Sequence, residues 1–190
     1  MEQHYIDIVV RNEAGYAEAL YGVSLNKDKP IEDMPKVCEK LAFCDGGHNK
    51  FLEQIILWVI VTAPRYWWQE ADTFRLSSKS SQSTMHTILH NKLTKENFEL
   101  NEITPMQLNL CNSLLEDKDL VNLKRQLPEC FLQRRLWMFS YKTLRNIILQ
   151  RRTHRLPHWR SFCSDIISQV QHPELLPAPI TENMLNQLIK

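Results

Sequence analysis

A chain of 190 residues with 43% hydrophobic and 24% charged residues has ordinary globular usage, which excludes a disordered or low-complexity protein. Its longest apolar stretch, residues 55–63, is far shorter than the roughly 20 residues of a membrane-spanning helix. The net charge of +1 is unevenly spread: between Val121 and Arg160 ten Lys/Arg face one acid, Glu129. That excess points to an anionic partner, or else to a solvated basic face.

In chain order, residues 4–10 alternate apolar side chains (Ile6, Ile8, Val10) and read as a strand. Residues 14–25 and 31–43 have helical spacing, and Asp45-Gly46-Gly47 is a turn. The β-branched run 55–63, bounded by Pro64, predicts a buried central strand. Residues 64–71 open a short helix with Pro64 at its start, and 76–83 form a serine-rich loop. Thr104-Pro105 caps a helix running to Glu116. Residues 140–153 and 157–170 are amphipathic helices, and a last helix starts at Thr181. Few strands among several long helices predict an α+β fold with a small central antiparallel or mixed sheet. One domain over residues 1–190 is expected, its C-terminal part from 165 a helical arm.

The N-terminus MEQHYIDIVV lacks a secretory leader's basic and apolar regions. The five cysteines are scattered without a CxxC pair, giving neither a disulfide framework nor a zinc pattern. A cytoplasmic setting is expected. No Walker loop, GxGxxG or GxSxG occurs, which argues against NTP hydrolysis, a Rossmann cofactor site and acyl transfer. His86 and His90 stand four apart, as do His154 and His158, but neither pair has a third ligand pattern and Pro157 interrupts the second. No metal site is expected, and Cys163 reads as a core thiol.

The most informative stretch is PRYWWQEADTFRLSSKSSQSTMH, residues 64–86. It sets Arg65, Arg75, five serines, Gln82, Thr84 and two tryptophans just after the predicted central strand. Hydroxyls, amides and free backbone N–H groups wrap a phosphate or a sugar, and arginine adds charge-assisted bonds. The tryptophans suit either a stacked planar ring or a core.

This stretch resembles the signature of the flavin-dependent thymidylate synthases, RHR-x-x-S-x-N-E-x-S-x-R. Arg75 matches its third residue, and Ser78 and Ser83 match its two serines at unchanged spacing. Upstream, GGHNKFLE keeps His48 and Glu53 of an H-x-S-x-x-E motif. Downstream, Leu127-Pro128 resembles a Leu-Pro step, SYKTL (140–144) falls where the family has Asn-Ala-Arg-Ser-Leu, and Arg151 falls on the arginine closing that helix. The ordered set covers roughly residues 45–160. The chain departs from it at Thr73-Phe74 in place of Arg-His, at Ser80-Ser81 in place of Asn-Glu, at Met85 for the final arginine, and at Ser140 and Lys142.

The resemblance implies transfer of a one-carbon unit to a pyrimidine deoxynucleotide, dUMP foremost, with FAD, methylenetetrahydrofolate and NADPH, in a homotetramer with shared sites. It places Glu70, Gln82, Ser83, Lys124 and Arg125 on the nucleotide. It places Arg151 on the pyrimidine ring, where a fixed cation stabilises developing negative charge. His48, Lys50, Arg75, Ser78, Ser140, Lys142 and Asn146 fall at flavin positions. The departures leave open a nucleotide-binding protein without the flavin reaction, or one acting on a cytosine nucleotide or delivering a hydroxymethyl group. The basic segment 124–160 leaves open nucleic-acid binding.

Overall fold

A computed structural model describes residues 5–83 and 87–180. Four strands, β1 (Asp7–Ala14), β2 (Ile56–Pro64), β3 (Ser77–Ser81) and β4 (Leu132–Ser140), form one sheet in the order β1-β2-β4-β3, antiparallel throughout. Among the described residues seven α-helices accompany it: α1 (Tyr16–Lys27), α2 (Met34–Ala42), α3 (Arg65–Ala71), α4 (Pro105–Glu116), α5 (Leu120–Gln126), α6 (Tyr141–Arg151) and α7 (Pro157–Gln169). The α+β class read from the sequence is the observed one. The expected helix from Thr181 lies outside the described residues, as do Thr84, Met85 and His86. No described helix is long and apolar enough to cross a membrane.

β2 is central, as its β-branched run predicts. Leu57, Val59, Val61 and Ala63 point inward and are fully buried, each of the larger three contributing roughly 1.5–3 kcal/mol on burial. The opposite face is only half covered: Trp58 lies beside Met138, and Ile60 lies between Val9 and Leu136. Val9 and Leu136 are 46% and 38% exposed, so an apolar row crosses the outer face of the sheet.

Two strands depart from the sequence reading. β3, expected as a loop, is an edge strand paired with β4 alone, Lys79 opposite Trp137 and Ser81 opposite Arg135. Backbone pairing holds it, so it needs no apolar alternation, and hydroxyls on a half-exposed edge cost nothing in desolvation. β4 was not foreseen because Gln133, Arg134 and Arg135 interrupt its apolar pattern. Arg135 is nonetheless accommodated on the inner face. Its guanidinium lies 4.4 Å over the Trp68 ring and bonds both Asp72 oxygens at 3.1 Å.

β1 runs four residues past its predicted end, with a register shift between Val10 and Asn12. Gly15 then turns the chain into α1 with φ +95°, and a Cβ there would sit 2.1 Å from the Gln54 carbonyl oxygen. Gly15→Ala is therefore expected to destabilise the fold by about 2 kcal/mol, read as a lower urea midpoint. α4 starts as predicted, Thr104 Oγ1 accepting from the Gln107 N–H at 3.2 Å. α7 is tied to β1 through Gln169, which bonds Val10 N–H and the Ile8 carbonyl, each at 3.0 Å.

The main core lies between the inner sheet face and the helices. Trp67, fully buried, sits 4.5 Å from Trp159, 5.0 Å from Trp68 and 5.6 Å from Phe162, ring centre to ring centre. Trp67 and Trp68 thus fill the chain's own core, one of the two roles their place in the sequence suits. A second, smaller cluster gathers Ile88, Leu93, Phe98, Cys111, Leu115, Leu123 and Phe131 under α4 and α5. Polar contacts tie it to the first. Arg65 donates to the Leu127 carbonyl at 2.7 Å, and the Tyr66 hydroxyl donates to Glu99 Oε2 at 2.7 Å. His158, 3% exposed, completes the seam at 2.6 Å from Glu99 Oε1. All five cysteines are free, and burial pushes the Cys163 thiol up to about 12.

Candidate functional site

Glu70 ends the useful length of α3 and Arg151 closes α6; the fold brings the two side chains together. Arg151 Nη1 lies 3.3 Å from Glu70 Oε2, which also accepts from the Trp159 indole N–H at 2.8 Å. The guanidinium is flanked by two rings, Trp159 at 5.0 Å and Phe74 at 5.6 Å. Its Nε is buried and has no hydrogen-bond partner among the described residues. His154 Nε2 lies 3.7 Å from the same Glu70 oxygen. Burial first, and then the cations Arg151, Arg160 and Arg155, lower the His154 pKa against the pull of Glu70. The imidazole is therefore neutral at neutral pH, and Arg151 is the cation that balances Glu70. A carboxylate, a guanidinium and an indole converging at one spot make a hydrogen-bonding station for a polar ring edge.

A second grouping forms where β4 passes into α6. Ser140 caps that helix, accepting from the Thr143 N–H at 3.2 Å. The Thr143 hydroxyl donates to the Leu76 carbonyl at 3.1 Å, fixing the stretch next to Arg75. Lys142 donates to the side chain of Asn49, a buried residue, and Arg145 Nη2 reaches Asp45 at 3.7 Å. Asn146, one turn after Lys142, is half-buried on the same helix face. A cleft of about 560 Å³ opens between α1 and residues 46–54, lined by His48, Lys50, Lys27 and Gln54. Gly46 and Gly47, at φ +70° and +86°, form the turn leading into it.

A third grouping lies at the end of the β3–β4 ladder. Gln82 N–H bonds the Arg134 carbonyl at 2.9 Å, and a cleft of about 160 Å³ beside them is lined by Gln82, Asn91, Lys92, Asn97 and Arg134. Ser83 follows at once, half-buried, its carbonyl accepting from Thr87.

Neither a family model nor a curated protein matches the sequence. Solved structures do. The flavin-dependent thymidylate synthase ThyX from Helicobacter pylori, complexed with FAD and dUMP, aligns with 92% of this chain and 100% of its own at TM-score 0.77 and 13% identity. The fold is that of the flavin-dependent thymidylate synthases. A second H. pylori ThyX structure, with FAD and dUMP, aligns with 95% of this chain and 99% of its own at TM-score 0.74 and 14% identity.

On this ThyX fold the residues singled out in the sequence fall into separate groups. Glu70 meets Arg151; His48 and Lys50 line the cleft against α1, linked to the Ser140–Lys142–Asn146 stretch that opens α6 through the Lys142–Asn49 bond; Gln82 and Ser83 lie at the β3 exit. Arg75 and Ser78 are exposed beside and on the edge strand. Lys124 and Arg125 stand apart, exposed on α5 over the second cluster, where Arg125 bonds Asn122. Lys92, Arg134, Phe74, Trp159 and His154 were not assigned to a site from sequence. Arg134 had a signal as part of the basic segment and His154 one only as half of a discounted histidine pair; Trp159 had none, because its role comes from α7 folding back over α3. The basic segment itself spans α5, β4, α6 and α7. Arg135, Arg145 and Arg151 are paired with acids, and Arg152 and Arg160 are bound to backbone carbonyls. Much of its charge is thus spent inside the fold and is not presented on one face.

Proposed function

We propose that this chain transfers a one-carbon unit to a pyrimidine deoxynucleotide, by the type of reaction that methylates dUMP to dTMP. The reading is carried by Glu70 and Arg151, which stand 3.3 Å apart on the fold of an H. pylori enzyme complexed with FAD and dUMP. Arg151 stabilises negative charge on the ring and so raises nucleophilicity at the carbon being alkylated. Its position is held by the Phe74 and Trp159 rings and by Glu70. Gln82 and Ser83, with the Arg134 and Lys92 side chains of the adjoining cleft, suit the sugar and phosphate. Lys124 and Arg125 contribute to a site completed by another subunit. The apolar row on the outer sheet face supports self-association, and a homotetramer is the assembly proposed.

FAD fits the residues present around the α6 junction. The cleft beside His48 and Lys50 offers cationic and amide donors of the kind a pyrophosphate and a flavin edge take up, and Lys142 reaches the neighbouring Asn49. When bound, FAD supplies the hydride that completes the methyl group. Methylenetetrahydrofolate is the proposed one-carbon donor, NADPH the proposed reductant and the cytoplasm the proposed setting.

The first test is the absorbance spectrum of the purified protein, repeated after adding FAD and dUMP. Bound-flavin bands perturbed by the nucleotide are expected; no flavin bound under any condition sinks the flavoenzyme reading. A second reading, a nucleotide-binding protein without the flavin reaction, is favoured by Phe74. Its ring packs at 5.9 Å on Trp159 where the family signature carries histidine. A colourless protein that binds the nucleotide supports that reading.

A further inference from the structure

We infer that the Glu70–Arg151 pair selects cytosine over uracil, so that the nucleotide is a deoxycytidine monophosphate. This rests on the pyrimidine-nucleotide site proposed above and refines its base. The two side chains present an acceptor beside a fork of donors. Glu70 Oε2 is occupied by the Trp159 indole N–H at 2.8 Å and by Arg151 Nη1 at 3.3 Å. The other carboxylate oxygen makes no bond among the described residues and is left to accept. The Arg151 fork is held in orientation by the rings of Trp159 and Phe74.

Cytosine's polar edge runs donor, acceptor, acceptor: the 4-amino group, N3 and O2. A carboxylate takes the amino group while the adjacent guanidinium takes N3 and O2 in its planar fork, so every group is paired. Uracil's edge runs acceptor, donor, acceptor. Placed in the same way, its O4 faces the carboxylate, acceptor against acceptor, and its N3–H faces the fork, donor against donor. Sliding the ring to give N3–H to Glu70 leaves Arg151 a single oxygen and O4 without a donor. His154, neutral and 3.7 Å from Glu70, does not cancel the carboxylate. A carboxylate cannot turn a donor toward O4, whereas a carboxamide can.

Calorimetric titration of the full chain with dCMP and dUMP tests this. dCMP is expected to bind at least about tenfold more tightly. In Glu70→Gln, whose carboxamide still accepts from Trp159, the preference is expected to shrink to within about threefold. Native protein that binds dUMP as well as or better than dCMP overturns the inference and leaves the nucleotide site standing. A cytosine preference that persists in Glu70→Gln overturns the role of Glu70. Binding of neither nucleotide overturns the proposed function, and this inference with it. Should Glu70→Gln fail to fold, the native ratio alone still decides.

Discussion

Arg151→Ala is expected to lower one-carbon transfer by about 100- to 1000-fold, the scale on which removal of a preorganised charge-stabilising donor acts. The expectation follows from how the residue is held. Its guanidinium is fixed between the Trp159 and Phe74 rings and against Glu70, so no reorganisation is needed when charge develops on the base. Alanine removes that cation and leaves Glu70 beside a neutral imidazole and an indole, with net negative charge at the place where negative charge must be accommodated. The loss therefore falls on the rate more than on folding. The ion pair is partly exposed, its side chains 19% and 32% accessible, so stability drops by only about 1–2 kcal/mol. Release of tritium from C5 of the nucleotide measures the rate, and calorimetry measures the stability. Arg151→Lys keeps the charge without the planar fork and is expected to fall between native and alanine. An alanine variant with native turnover sinks the assignment.

Trp67→Ala is expected to cost about 3–5 kcal/mol and to lower Tm by about 10 °C. Trp67 is fully buried and meets four rings, those of Trp68, Trp137, Trp159 and Phe162, so alanine opens a cavity at the centre of the main core. Trp159 also donates to Glu70, so the cavity loosens the wall of the candidate site as well as the core. Trp67→Phe separates the two contributions. Because the Trp67 indole N–H has no partner among the described residues, phenylalanine forfeits no hydrogen bond there and is expected to cost distinctly less. Equal Tm values for the native and alanine proteins contradict the packing described here.

The sequence made the α+β class, the central strand and most helix starts readable because their signals are local. β2 carries its own β-branched run, α4 its Thr-Pro start, and α6 its apolar spacing. β4 and β3 were illegible for the opposite reason. Arg135 belongs on the inner face only because Trp68 and Asp72, distant in sequence, receive it, and the β3 serines belong in a strand only because β4 offers a ladder. The candidate site divides in the same way. Glu70 and Arg151 were each singled out by motif, but their meeting depends on α3 and α6 approaching from separate parts of the chain. Trp159 enters on α7 and His154 on the link before it, and no spacing in the sequence connects them to residue 70.

The seam between the two apolar clusters gives the chain uneven resistance to opening. The main core is continuous from the sheet into α6 and α7, whereas the 88–131 segment is fastened to it through Arg65 and the Tyr66–Glu99–His158 contacts. Hydrogen bonds can be exchanged for water far more cheaply than a shared apolar core can be hydrated. The segment carrying α4 and α5 is accordingly expected to open as a cooperative unit of its own, its amide hydrogens exchanging with solvent faster than those of the four-stranded sheet. Arg134 and Lys92 line a cleft along this boundary, so an opening of the smaller unit would reshape it.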